Sequence, residues 1–446
     1  MKMNKRKFLK NVAALSTLTV LSSCNWNLSN QKKLRTAHIG VGNMGAEDLK
    51  AISSHEMVDV VALCDIDSKN LYAASKLHPK AKKFKDYREL FKKMSNSIDA
   101  VIISTPDHTH APASMMAMSH DKSVYCQKPL THHVKEARAM NHLATEKNLV
   151  TQMGIQVHSF YDYKLATLLI QSGIIGKVRT VRAWSNKNWG YDGPEPEGSD
   201  PIPEHLNWNL WLGTSKKRNY KKDIYHPGNW RKLLDYGCAT LGDMGVHIFD
   251  TPYNALDLDV PFTITNNCRP PTGFGYPEAN TVTYEFPQTQ YTTETLKWVW
   301  YDGTNSPEMH SDLELPEGTL LPDQGAMFMG EKGKLLLPHF MELPQLIVDG
   351  AYKKLDQDLI DSFQLGEPIR NYDKEGKKHY HQFVDACLGK TTTSAPFSYS
   401  AKLTETILLG VIAGRFPNET LHWDNQKAKF SELKANIYLE GSYRPF

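Results

Sequence analysis

The chain has 446 residues, 40% of them hydrophobic and 23% charged, which is enough to bury a sizeable core in two folded domains. Lys and Arg outnumber Asp and Glu by 52 to 49, but Lys2, Lys5, Arg6, Lys7 and Lys10 supply five of those positive charges in a stretch without acids. The remainder is slightly acidic, so nothing in the charge points to nucleic acid, and no apolar run past the N-terminus approaches the length of a bilayer span.

Residues 1–23 read as a signal peptide, with a basic stretch at 2–10 and a short apolar stretch at 12–21. The sequence Leu21-Ser22-Ser23-Cys24 resembles a bacterial lipobox, in which Cys24 would carry the lipid and become the first mature residue. A plain secretory signal with an incidental cysteine is the alternative. Residues 4–10 resemble a twin-arginine signal with Lys5 in place of the first arginine, the route of a protein that crosses the membrane already folded. Residues 24–33 form a polar tether. The expectation is an exported periplasmic or cell-envelope lipoprotein that meets the membrane only through its lipid anchor. The other cysteines, at 64, 126, 238, 268 and 387, are odd in number and contain no C-x-x-C, which argues against a disulfide scaffold and against structural zinc. Cys64, Cys126 and Cys387 lie in apolar runs and read as small core residues.

From Leu34 the apolar pattern alternates as strand and helix. Strands are predicted at 35–40, 58–64, 83–84, 100–104, 123–126 and 150–153, with helices at 44–53, 68–77, 86–94, 108–119 and 134–144 between them. Short connections in that rhythm predict a doubly wound parallel sheet over 34–155. Beyond 155 the rhythm changes. A helix at 163–171 leads to a strand at 177–185, a Gly/Pro-rich loop at 190–203 and a helical stretch in the second half of 236–256. Strand-like runs follow at 262–265, 281–286, 295–300 and 334–337. Residues 156–446 are expected to form a C-terminal α/β domain with a large mixed, mostly antiparallel sheet for substrate binding and oligomerisation.

Gly40-Val41-Gly42-Asn43-Met44-Gly45 is a G-x-G-x-x-G between a predicted strand and helix. Gly40 permits the tight turn, Gly42 the approach of a pyrophosphate, and Gly45 close helix–strand packing. Asp65 ends the second strand, where an acid hydrogen-bonds the adenosine ribose. An acid there disfavours a 2′-phosphate, so NAD is expected over NADP.

Three further segments fall in register with this motif: residues 104–110 (STPDHTH), 127–130 (QKPL) and 242–247 (GDMGVH). Together they resemble the Gfo/Idh/MocA oxidoreductases, over essentially everything from Leu34 onward. The resemblance implies a Rossmann domain, a nicotinamide cofactor, a homo-oligomer and a sugar, cyclitol or glycoside substrate. It implies that Lys128, the lysine of E-K-P, bonds substrate and cofactor, that Asp243 and His247 are the pair of D-x-x-x-H, and that Thr105 and Pro106 line the nicotinamide side. The family glutamate is Gln127 here, which keeps hydrogen bonding but not charge. His108 and His110 are loop residues on the cofactor side, since no further ligands accompany their H-x-H spacing and no metal is expected.

Oxidising a secondary alcohol needs an electron-pair acceptor, a base and a clamp on the oxygen. His247 suits the base, Asp243 a neighbouring hydroxyl or the imidazole, and Lys128 the developing alkoxide. The plainer alternative is a helix N-terminal aspartate and a structural histidine. Substrate contacts are expected from Gln156, His158, Trp189, Asn229, Trp230 and Arg231, with aromatic faces against a pyranose ring. Trp208 and Trp211 read as core. Three functions stay open: a sugar or glycoside dehydrogenase, with C3 one position for the oxidation; a glycoside hydrolase that oxidises transiently at C3 and eliminates; and a non-catalytic sugar-binding lipoprotein.

Overall fold

The computed structural model describes residues 32–307, 313 and 315–446. The signal peptide, Cys24 and most of the tether lie outside the described residues. Ala100–Ile103 (β4) is apolar and buried on both faces, and Leu34–Ile39 (β1) is buried at every position but Arg35, the signature of central parallel strands. With Val58–Cys64 (β2), Lys82–Phe84 (β3), Ser123–Gln127 (β5) and Thr151–Gly154 (β6) they make an all-parallel sheet in the order β3-β2-β1-β4-β5-β6. The crossovers are Met44–Ser53 (α1), Ser68–Leu77 (α2), Tyr87–Met94 (α3), Asp107–Ser119 (α4) and Val134–Glu146 (α5). Asp67 and Asp86 start α2 and α3 by accepting the backbone N–H of Lys69 and Arg88. Strand order reverses between β1 and β4, so a crevice opens at their carboxyl ends.

The second sheet is built on Val178–Ser185 (β7), which follows helix Tyr161–Gln171 (α6). Its ten strands include Thr263–Asn267 (β8), Thr281–Pro287 (β9), Thr292–Asp302 (β10), Gln324–Gly330 (β11), Lys334–Pro338 (β12), Gln345–Val348 (β13), Ala351–Lys353 (β14), Thr420–Asp424 (β15) and Lys429–Phe430 (β16). The order is β14-β13-β12-β11-β7-β10-β9-β8-β15-β16, with β7 and β10 parallel and the other pairings whose register is known antiparallel. Between β7 and β8 lie the short helix Trp208–Leu212 (α7), a π-turn at Leu241–Gly245 and helix Val246–Ala255 (α8).

Three later helices, Gln357–Ser362 (α9), Tyr372–Cys387 (α10) and Phe397–Ala413 (α11), belong to the stretch that the sequence left unread. Helix α11 is buried on nearly every side and packs on α5, α8 and β8, so it joins the two sheets. Arg138 on α5 grips Glu405 of α11 with two hydrogen bonds, of 2.7 and 2.6 Å. Helix α10 docks on α1, where Tyr380 and Phe383 pack on Tyr125 of β5. All five described cysteines are free; Cys387 is partly exposed at the edge of this packing rather than in the core, because it ends its helix.

Candidate active site

The glycine loop is shaped by contacts that exclude side chains. Gly40 has φ +81°, and a Cβ there would lie 2.5 Å from the Ser104 carbonyl oxygen. A Cβ on Gly45 would lie 2.2 Å from the Gly40 carbonyl oxygen, so α1 could not approach β1. The space beside Gly42 is taken by the Asn70 amide, which lines the crevice with Asn43 and Met44. No side chain caps the N-terminus of α1, which leaves its dipole end open towards that crevice. Asp65 accepts the backbone N–H groups of Val41 and Asp67, each at 2.8 Å, and so fixes the loop while its carboxylate lines the cleft. The cleft, of about 460 Å³, is bounded by Thr105, Pro106, Gln127 and Lys128 on its other side. An open helix end, a close-packed glycine turn and an acid at the end of β2 are the donor and acceptor set for a dinucleotide, and these residues fit NAD.

At the far end of the cleft Lys128, just past β5, meets residues more than a hundred positions away. Its ammonium donates to the Asp243 carboxylate and to the Asp243 carbonyl, both at 2.8 Å. Asp243 also accepts from Arg231 at 3.2 Å and from the Trp189 indole at 2.7 Å. Burial pushes the Asp243 carboxyl upward, but the Lys128 and Arg231 charges outweigh it and hold the group well below the usual carboxylate range. Asp243 is therefore a fixed anion. The Arg231 guanidinium lies over the Trp230 ring at 4.3 Å and the Trp189 ring at 5.6 Å, making an aromatic and cationic wall.

The other expected residues divide. His110 stands 2.8 Å from the carbonyls of both Thr105 and Pro129, tying the two cofactor-side loops together. His108 turns away from the cleft, its Nε2 on the Trp211 carbonyl at 3.0 Å, among the buried aromatics Trp211 and Tyr236. Trp208 and Trp211 stack at 4.7 Å in the core of the segment between β7 and the π-turn. Gln127 donates both to Asp48 of α1, at 2.9 Å to each oxygen, and so does not stand alone where a glutamate was expected: the carboxylate is on the neighbouring helix. Gln156 and His158 do not reach the cleft. Gln156 is buried against the Tyr380 hydroxyl at 2.7 Å, and His158 lies 2.9 Å from Asp250, because the single 3-10 turn at Gln156–Ser159 after β6 directs both into the packing of α10 and α8. Asn229 donates to the Asp223 carbonyl at 2.7 Å and holds its own loop instead.

His247 is one turn beyond Asp243, just past the end of the π-turn. Its Nδ1 is sealed from solvent with no hydrogen-bond partner. Burial first, then Lys128 and His339, push its imidazole well below the ordinary value, so the ring is neutral. Residues the sequence reading missed are His339, whose ring lies 6.3 Å from that of His247; Asp48; and Asp107, buried in the cleft wall. His339 and Asp48 carried no motif, whereas Asp107 stood inside STPDHTH, unremarked between better-known letters.

Comparison with known proteins agrees with this geometry. Residues 34–155 match the family model described as an oxidoreductase family with NAD-binding Rossmann fold, and residues 163–320 match its C-terminal alpha/beta domain. The chain is 30% identical over 152 residues to inositol 2-dehydrogenase of Salmonella typhimurium, covering 33% of this chain and 44% of that one. It is 27% identical over 207 residues to a glycosyl hydrolase family 109 protein of Shewanella pealeana, covering 40% and 45%. The chain thus spans less than half the length of the curated relatives it matches. A solved structure of levoglucosan dehydrogenase in complex with NADH and levoglucosan superposes with a TM-score of 0.61 at 16% identity, over 88% of this chain and 99% of that one, which shows a shared fold. With both family models matched in order on the two sheets described above, the chain belongs to the Gfo/Idh/MocA oxidoreductase family.

Proposed function

We propose that the protein is an NAD-dependent oxidoreductase acting on a secondary hydroxyl of a sugar or glycoside. The observation that carries this reading is the cluster of Lys128, Asp243 and Arg231 in the wall of the dinucleotide cleft, with Trp189 bonded to Asp243. An ammonium has three donors, and two of those on Lys128 are spent on Asp243, which leaves one for a substrate oxygen. There it favours the oxygen as negative charge develops on it. Asp243, permanently ionised, accepts a neighbouring hydroxyl, and the Trp189–Arg231–Trp230 wall suits the C–H face and hydroxyls of a pyranose. Bound NAD supplies the electron-pair sink for the alcohol C–H bond. Asp65 favours NAD over NADP. His247, neutral beside Lys128, is the group the family motif points to as base.

A second reading, a glycoside hydrolase that uses NAD transiently, has its own support. The segment between β7 and the π-turn closes over the β2–α2 corner: Ser68 donates to the His205 carbonyl, Asn207 to the Ile66 carbonyl, and Asp67 meets both His205 and His226. A cofactor held under such a cover suits chemistry that regenerates it in every cycle. Intact Lys128 and Asp243 argue against a purely binding role. The export signal, Cys24 lipidation, a periplasmic or cell-envelope location and a homo-oligomer remain part of this proposal, resting on the sequence pattern and the family resemblance. The test is a panel of glycosides offered with and without an artificial electron acceptor, with products analysed by mass. A ketone that depends on the acceptor supports the dehydrogenase; free sugar without any acceptor supports the hydrolase; neither, with NAD bound, contradicts both.

A further inference from the structure

One wall of the cofactor cleft belongs neither to the parallel sheet nor to its crossover helices. Leu210 and Trp211 of α7, with the turn at 226–231, line the cleft together with Asn43, Asp65, Asn70 and Tyr87 of the Rossmann domain. Helix α7 has five residues, too few to be stable through its own hydrogen bonds, so its position depends on what it is tied to. The Trp211 carbonyl meets His108 at 3.0 Å, and the Asn207 N–H donates to the Ile66 carbonyl at 3.1 Å. A further set of ties comes from residues 439–446, a strap without helix or strand.

The strap starts on α5, where the Lys135 N–H donates to the Leu439 carbonyl at 3.0 Å and the Tyr443 hydroxyl donates to Glu136 at 2.8 Å. Arg444 then grips the segment around α7. Its backbone N–H donates to the Thr214 carbonyl at 2.8 Å and its Nε to the Ser215 carbonyl at 3.0 Å. Its terminal nitrogens donate to the Asn209 side-chain oxygen at 3.0 Å and to the Asn209 carbonyl at 3.2 Å. Phe446 lands on α3. Its carbonyl accepts from Arg88, whose guanidinium lies over the Phe446 ring at 4.1 Å, and that ring is 6.4 Å from the ring of Tyr87. Arg88 is fixed in turn by Asp86, which accepts from its Nε at 2.9 Å and from a terminal nitrogen at 2.6 Å. The strap therefore joins α5, the segment around α7 and the start of α3, and the last two both line the cleft.

We propose that Arg444 and Phe446 are positioning residues for the cofactor: by bracing α7 against α3 they keep the cleft closed over the dinucleotide and set how fast NAD leaves. The proposal rests on NAD as the occupant of the cleft and holds for either of the two reactions. For NAD to leave past Leu210 and Trp211 that wall must move, and three side-chain hydrogen bonds from Arg444 break when it does. Each has an ionised donor, which makes it stronger than a neutral pair.

The experiment uses the NAD-loaded full chain with Arg444→Ala, Arg444→Lys and Phe446→Ala variants. Each protein is mixed with a large excess of isotopically labelled NAD, and the unlabelled cofactor still bound is followed by mass after rapid desalting and denaturation. R444A should exchange NAD about 10- to 100-fold faster than wild type, and F446A should show a smaller increase. R444K keeps the charge but not the fork, so its rate should fall between those of wild type and R444A. Backbone hydrogen exchange should rise in R444A over residues 207–215 and stay at the wild-type level in β1 and β4. Where R444A fails to fold, wild type against R444K and F446A makes the same comparison. Equal NAD exchange in wild type and folded variants, or faster hydrogen exchange across the whole parallel sheet, would overturn the proposal. A wild-type chain that binds no NAD would sink the cofactor reading itself, whereas bound NAD with unchanged exchange in the variants sinks the role of the strap alone.

Discussion

The two ends of the cleft are made by different means. At the cofactor end, the turn and its acid lie within 25 residues of chain, and shape does the work: Gly40 and Gly45 are there because a Cβ would strike backbone. At the substrate end, Lys128, Arg231 and Asp243 come from three separate segments, and charge does the work. The first end tolerates no added volume, and the second no lost charge. The contrast sets which property each substitution should damage: cofactor retention at one end, turnover at the other.

The largest effect is expected from Lys128→Ala. It removes the free donor and one of the two cations on Asp243, so kcat should fall about 100- to 1000-fold while bound NAD stays at the wild-type level. Loss of NAD from this variant would erase the contrast. Next comes Gly45→Ala, which must push α1 away from the Gly40 carbonyl. NAD content after purification should drop and thermal stability should fall by about 1–3 kcal/mol, and a variant that keeps both would contradict the shape argument.

Gln127→Glu sits between the two ends. It would place a second carboxylate against Asp48, whose own carboxyl burial has already pushed up to about 6 despite donors from Ser104, Tyr380 and Gln127. A group with a raised folded value gives stability that is present at low pH and lost as the pH rises through that value. The penalty of the variant should therefore be small near pH 5, where one of the pair holds a proton, and grow above pH 6 to about 1–3 kcal/mol in denaturant unfolding. A pH-independent penalty would mean the two groups do not meet. The smallest effect is expected from Trp189→Phe, which keeps the ring and loses one hydrogen bond to Asp243. The expected change is a few-fold rise in KM, worth about 1 kcal/mol, with kcat near wild type.

The same contrast explains what could be read from the sequence. The turn of β1 and α1, the acid closing β2 and the parallel sheet depend on local signals, and all of them appear in the structure where the pattern put them. Helix α11 was illegible because it is buried almost all round and the buried side includes Ser400, Thr404, Glu405 and Thr406, so no apolar period shows. Lys128 and Asp243 were legible only through the family resemblance, since no spacing relates residues 115 positions apart. Asn229, Gln156 and His158 were misplaced because proximity in chain to the cleft says nothing of side-chain direction. Asp48 looked like one more polar residue of an amphipathic helix, and its burial follows from α10, which the sequence had not revealed.

The most direct test of the central claim is to add sugars and glycosides one at a time to the NAD-loaded full chain and to the Lys128→Ala variant, following reduced nicotinamide by its near-ultraviolet absorbance. The account predicts reduction by at least one sugar or glycoside in the wild type and none above background in K128A. Tight NAD binding with no reduction by any of them, or equal reduction in both proteins, would contradict it.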